Sequence, residues 1–216
     1  MTGQEEKDFA ESLIDDSIDE TLFLTLLAVA KDNLEDERDW MYLKAVDSSQ
    51  SISPGETYLT MKTLPTLFRK MLKVFVDNLE YWGIQFEDRL RYKDSSRKFY
   101  IDLANNQFAI IGTPAETKTI HQFYIKTTPE LTLTTSPTFP TRFHKILGFK
   151  IAGYITAGVD ADDIYARMSP EHKMAAEAME ESMRNWDTDL RLNAINYSAA
   201  PDLNNGGRVD SIDINE

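Results

Sequence analysis

The chain contains no cysteine, so it holds neither a disulfide nor a thiolate-bound metal. That usage fits a reducing compartment. No uninterrupted apolar run approaches the roughly 20 residues of a membrane-spanning helix, and no membrane association is expected. Residues Met1 to Asp8 are polar and acidic, unlike the start of a secretory signal. There is no glycine-rich phosphate loop, nucleophile elbow or metalloprotease helix. Gly206-Gly207 follows Asn204-Asn205 in a linker-like stretch and is no phosphate loop. With no motif for chemistry, neither enzymatic activity nor a cofactor is expected.

What is present is charge of uneven sign. The net charge is −13 over 216 residues. Met1 to Asp39 holds 13 acids and 3 bases, a balance of −10. Trp40 to Lys150 holds 10 acids and 15 bases, a balance of +5. Ile151 to Glu216 holds 13 acids and 5 bases, a balance of −8. Two acidic ends thus flank a mildly basic middle. Such a pattern keeps a chain soluble. It also suits charge-matched contacts between copies, or a surface that DNA slides past. It counts against ordinary sequence-reading of DNA, which favours a basic footprint.

Hydrophobic periodicity changes along the chain. Residues 1 to about 16 read as a frayed acidic end. Ser17-Ile18-Asp19-Glu20 has capping-box spacing, and Leu22, Phe23, Leu26, Leu27, Ala30 and Leu34 recur at helical intervals. A helix is expected over about 18–46, then a loop over 48–55. Strands are expected over 57–64, 72–76, 81–86, 99–103, 108–111 and 119–125, with a short helical turn over 66–71. Asn105-Asn106 marks a hairpin. Pro129 to Pro140 reads as an extended connector, followed by a helix over 140–157 with one apolar face. Ser169-Pro170 starts another helix, running to about 192. The expected fold class is therefore α+β: a helical bundle with a β-rich insertion in the middle and an extended C-terminal tail. The expected domains are a helical body over 1–54 and 129–195, a β-rich insertion over 55–128 and a flexible tail over 196–216.

Candidate sites are few. His121, His144 and His172 lie far apart in sequence and read as surface side chains rather than metal ligands. Asp160-Ala161-Asp162-Asp163 has oxygens for a hard cation but lacks the glycine and distal glutamate of a calcium loop. Acids before a helix are favoured by its dipole alone, so no metal site is expected. Arg89-Leu90-Arg91-Tyr92-Lys93 and Arg97-Lys98-Phe99-Tyr100 interleave bases with aromatics. That composition suits stacking of single-stranded nucleic acid, and equally a two-faced hairpin. Met174, Met179, Met183 and Trp186 form a stripe suited to a core or a subunit interface. In the tail, Val209-Asp210-Ser211-Ile212-Asp213-Ile214 is acidic and β-branched. A segment of that kind adds a strand to a partner's sheet. Tyr197, Leu203, Val209, Ile212 and Ile214 are the candidate partner-docking residues.

Several placements recur in order. Gly55-Glu56-Thr57-Tyr58 leads to Leu64-Pro65-x-x-Phe68-Arg69-Lys70. Lys98-Phe99-Tyr100-Ile101-Asp102 leads to Phe108-Ala109-Ile110-Ile111-Gly112 and Phe123-Tyr124-Ile125. Pro129-Glu130-Leu131-Thr132 and Phe139-Pro140-x-x-Phe143-His144-x-x-Leu147 follow. Over roughly residues 55 to 165 this order resembles phage head-to-tail adaptor (connector) proteins of the tail tubular protein A-like kind. The resemblance implies a structural virion protein without catalysis, at the head–tail junction, made in the bacterial host cytoplasm. It implies a ring, commonly of about twelve copies, that joins the capsid portal protein to tail nozzle or tail tube proteins. Double-stranded DNA would pass through its channel without sequence-specific binding. The alternatives are an acidic DNA-mimic inhibitor, another phage assembly or neck component, or a metal-dependent hydrolase built around Asp160, Asp162, Asp163 and a histidine.

Overall fold

The computed structural model describes the backbone of residues 1–198 and the side chains of residues 1–194. The chain divides into two compact units, Leu43–Pro129 and Met1–Tyr42 with Glu130–Glu216. The first holds 12 Lys and Arg against 9 Asp and Glu, a balance of +3. The second holds 11 against 27, a balance of −16.

The basic unit is a mixed seven-stranded sheet, nearly closed into a barrel. Its strands are β1 (Lys44–Ile52), β2 (Met61–Thr63), β3 (Phe68–Val76), β4 (Leu79–Ile84), β5 (Lys98–Asp102), β6 (Gln107–Ile111) and β7 (Lys118–Lys126). The strand order is β1-β7-β3-β4-β5-β6-β2. All neighbours are antiparallel except β4 and β5. The outermost strands β1 and β2 are tied by a side chain: Gln50 Nε2 donates to Thr63 O at 3.0 Å.

One strand divides its pairing. The first half of β4 pairs with β3, through Tyr81–Val74 and Leu79–Val76. Its second half leaves β3 and pairs with β5, through Trp82–Lys98 and Ile84–Tyr100. A cleft of about 520 Å³ opens where the strands part, lined by Phe68, Met71, Ile84, Phe86, Phe99 and Ile101.

Strands β5 and β6 are apolar on both faces because both are covered. Phe99, Phe108 and Ile110 enter the barrel core with Ile52, Leu64, Val74, Val76, Tyr81 and Ile120. Tyr100, Ala109 and Ile111 point outward, beneath Tyr58, Met61, Ile84, Phe86 and Tyr92. Tyr100 Oη donates to Tyr58 O at 2.5 Å, fixing that cover.

In the acidic unit the helices are α1 (Gly3–Ile14), α2 (Glu20–Asp36), α3 (Lys145–Ala157) and α4 (Pro170–Ser198). Every residue from Ile146 to Tyr154 of α3 is buried. A helix covered all round reads as apolar all round, and α1, α2 and α4 all pack on it. Gly148 and Gly153 permit the approach. A Cβ on Gly148 would lie 2.5 Å from Phe9 of α1, and one on Gly153 would lie 2.7 Å from Ile164 O. Among the described residues no helix is long and apolar enough to cross a membrane.

The expected helical bundle with a β-rich insertion is overturned. The β part is a nearly closed barrel with its own core, accompanied by four helices among the described residues. The reason lies in segments read otherwise from sequence. The helix expected to 46 ends at Asp36, and the 48–55 loop is mostly the edge strand β1. The turn over 66–71 is the start of β3. Residues 3–14, read as frayed, form α1, whose N-cap Thr2 and Glu5 complete a capping box. Ser17 caps nothing: Asp19 is the N-cap of α2, accepting from Thr21 N and Leu22 N. Helix α4 runs through Ser198 and so includes the first residues of the expected tail.

Candidate functional site

Strand alternation sends Tyr81 into the barrel core and turns Trp82 outward, where it stays 52% exposed. The parallel register sets Lys98 of β5 opposite Trp82. The Lys98 Nζ lies 5.3 Å from the Trp82 ring and 5.9 Å from the Tyr92 ring, within cation–π reach of both. On Tyr92, Arg91 adds its guanidinium at 5.6 Å. Nearby, Arg89 stacks on Phe86 at 3.8 Å and donates to Phe86 O at 2.8 Å. Tyr92 and Phe86 are held by the outer core on Tyr100 and Ile111, so this face rests on a packed support. Between Arg89 and Lys98 five basic residues stand against one acid, Asp94. Among the described residues none of Arg91, Lys93 and Lys98 reaches a carboxylate.

Both base–aromatic segments singled out from sequence contribute here. Trp82 was missed, because its place depends on a parallel pairing between residues 16 apart in sequence. The one local signal was an indole at an outward position of a short strand.

The other candidates resolve into structure. Asp163 accepts from Tyr165 N at 3.0 Å and from Lys173 Nζ at 2.5 Å, which ties the loop before α4 to that helix. The ion pair holds its carboxyl below the usual range. Among the described residues no group of three His, Cys, Asp or Glu could hold a metal. His144 is not a surface side chain. It is buried, its Nε2 donates to Phe139 O at 2.8 Å, and its Nδ1 accepts from the Met1 amino group at 2.9 Å. Burial lowers its pKa, so the ring is neutral. Met183 of the methionine stripe is fully buried, whereas Met174 is exposed. The helix backbone includes Tyr197, but its side chain lies outside the described residues, as do Leu203, Val209, Ile212 and Ile214.

Two polar clusters fasten α4. Asp187, fully buried, accepts from Met41 N at 2.5 Å and from Arg191 at 2.8 Å, and pairs with Arg38 at 3.2 Å. Glu180 pairs with Lys150 at 2.8 Å, accepts from Tyr165 Oη at 2.7 Å and also pairs with Arg184. Glu6 has no such satisfaction. Its carboxyl oxygens are buried, and among the described residues neither has a well-formed hydrogen-bond partner. Desolvation raises its pKa to about 8, against the opposing pull of the Met1 amino group, the Gly148 backbone and Lys145.

The face combines an exposed indole with a cation over its ring, beside further ring-stacked cations on a packed backing. No protein-family model matches this chain, and no curated protein matches it.

Proposed function

We propose that this chain is a structural ring protein that joins a capsid portal to a tail and lets double-stranded DNA pass. The observation that carries the reading is the separation of charge by unit, −16 on the helical unit and +3 on the barrel. Copies in a closed ring meet through two different faces, and oppositely charged units supply such a pair. A strongly acidic surface also repels phosphates, so a DNA strand beside it moves without being trapped. The ordered adaptor-like placements from Gly55 to Leu147 add to this.

The test is co-expression with the portal protein of the same genome, followed by mass measurement and negative-stain imaging of what co-purifies. A stoichiometric ring stacked on the portal is expected. No association between two folded proteins overturns the reading, and inhibition of a nuclease would then favour a DNA mimic. Removing residues 203–216 is expected to leave the fold intact and block portal docking. Unchanged docking would free the tail, with Val209, Ile212 and Ile214, from that role.

A further inference from the structure

We infer that the Trp82–Tyr92–Lys98 face of the barrel is the contact surface for a second copy of this chain, and that it receives the acidic turn between α1 and α2. This rests on the ring reading and names the two surfaces that would meet.

The donor surface has the composition of an interface hot spot. Tryptophan, tyrosine and arginine dominate binding energies at protein contacts, and here an exposed tryptophan shares Lys98 with Tyr92, which also carries Arg91. Trp82 keeps half its surface in solvent although Lys98 lies over its ring. The cations beside it are stacked on rings and have no carboxylate partner among the described residues.

The acceptor surface is its complement. In the turn from α1 to α2, Asp15, Asp16, Asp19 and Glu20 are exposed. Asp19 is engaged as the N-cap of α2 and Asp16 accepts from Ser17 N, and no cation neutralises either among the described residues. Leu22, 48% exposed, stands at the edge of the same turn. An apolar side chain rimmed by carboxylates matches an indole rimmed by cations. The two surfaces differ, so the contact is heterologous and propagates around a ring. A contact carried by exposed charges weakens with salt.

Sedimentation of the full chain tests this. At low salt the protein is expected to associate with rising concentration, and to dissociate at about 0.5 M salt, where the Debye length falls to a few ångström. Trp82→Ala is expected to weaken association about 30-fold, the hot-spot range. The pair Arg91→Glu with Lys93→Glu is expected to abolish it. Adding Asp15→Lys with Asp16→Lys to that pair is expected to restore it, an outcome that general destabilisation cannot produce. A wild-type monomer throughout, variants that associate like wild type, or a fourfold variant that stays monomeric would each overturn the inference. So would Trp82-dependent binding of an oligo-dT probe, which would assign the face to single-stranded nucleic acid. If Arg91→Glu/Lys93→Glu still forms the ring on the portal, this surface falls and the adaptor reading stands.

Discussion

Lys98 holds its ammonium 5.3 Å over the ring of Trp82, the residue directly opposite it in the parallel ladder of β4 and β5. Neither residue is needed to close the barrel core, which is filled by Tyr81 and Phe99 beside them. Trp82 can therefore be changed while the fold is kept, and surface changes of that kind shift stability by only about 0.5 kcal/mol.

Glu6 gives the fold a pH dependence. Its pKa rises from 4.5 unfolded to about 8 folded. Within that window the folded chain holds a proton that the unfolded chain has released. Stability therefore falls as pH rises from about 4.5 and levels off above about 8, by at most about 1.4 kcal/mol per pH unit. Glu6→Gln is expected to flatten this dependence and to raise stability at pH 8. Urea midpoints of both proteins from pH 5 to 9 check it, and parallel curves would sink it.

Gly153 is expected to resist enlargement. Alanine is the better helix former by about 1 kcal/mol, yet its Cβ would sit 2.7 Å from the backbone oxygen of Ile164. Gly153→Ala is expected to destabilise by about 1–3 kcal/mol net. Gly148→Ala should cost less, because the obstacle there is the side chain of Phe9 rather than backbone. Equilibrium unfolding of the two variants gives the order, and a reversed order contradicts the packing described.

Asp187 anchors α4 through Arg38 and Met41 N, and pairs with Arg191 one turn on in the same helix. Asp187→Asn removes the charge and leaves both arginines in place. The cost is expected at about 2–3 kcal/mol, below the range for a fully buried pair because the arginines are partly in water. Hydrogen exchange should show faster opening of α4 near Asp187, with the barrel unaffected. Uniform acceleration in both units would contradict a local anchor.

Leu67 occupies a left-handed conformation, φ 59°, and is 42% exposed. Leucine there carries local strain of about 1–2 kcal/mol that asparagine tolerates better. Leu67→Asn is expected to raise the denaturation midpoint, by about 0.5 kcal/mol in stability. A lower midpoint would mean the leucine side chain contributes more by packing than its backbone costs.

The sequence was most readable where both faces of a strand are buried. Lys98–Asp102 and Gln107–Ile111 are dense in aromatic and β-branched residues, and Asn106, at φ 53°, makes the turn that Asn105-Asn106 signals. It was least readable in β1, whose Ser48, Ser49 and Ser51 mimic a loop. An edge strand needs backbone partners rather than apolar side chains, and β7 supplies them. Helix α1 carried a capping box at Thr2 and Glu5 that its acidic composition obscured. In α3 the apolar stripe was visible, but burial on every side follows from the close approach at Gly148 and Gly153, a tertiary fact. The base–aromatic face of the barrel was half visible. Bases interleaved with aromatics can be read along the chain, whereas the union of Trp82 with Lys98 depends on the parallel register.

The divided pairing of β4 has a kinetic consequence. Without it the sheet falls into two three-stranded ladders, β1-β7-β3 and β5-β6-β2, each antiparallel and each able to form on its own. Closure of the barrel then waits for six residues to find two partners in opposite orientations. The β3 side of β4 is a two-residue hairpin and forms locally, so the parallel pairing with β5 is the step that joins the two ladders. Until it forms, the edges of β4 and β5 stand open to strands of other chains.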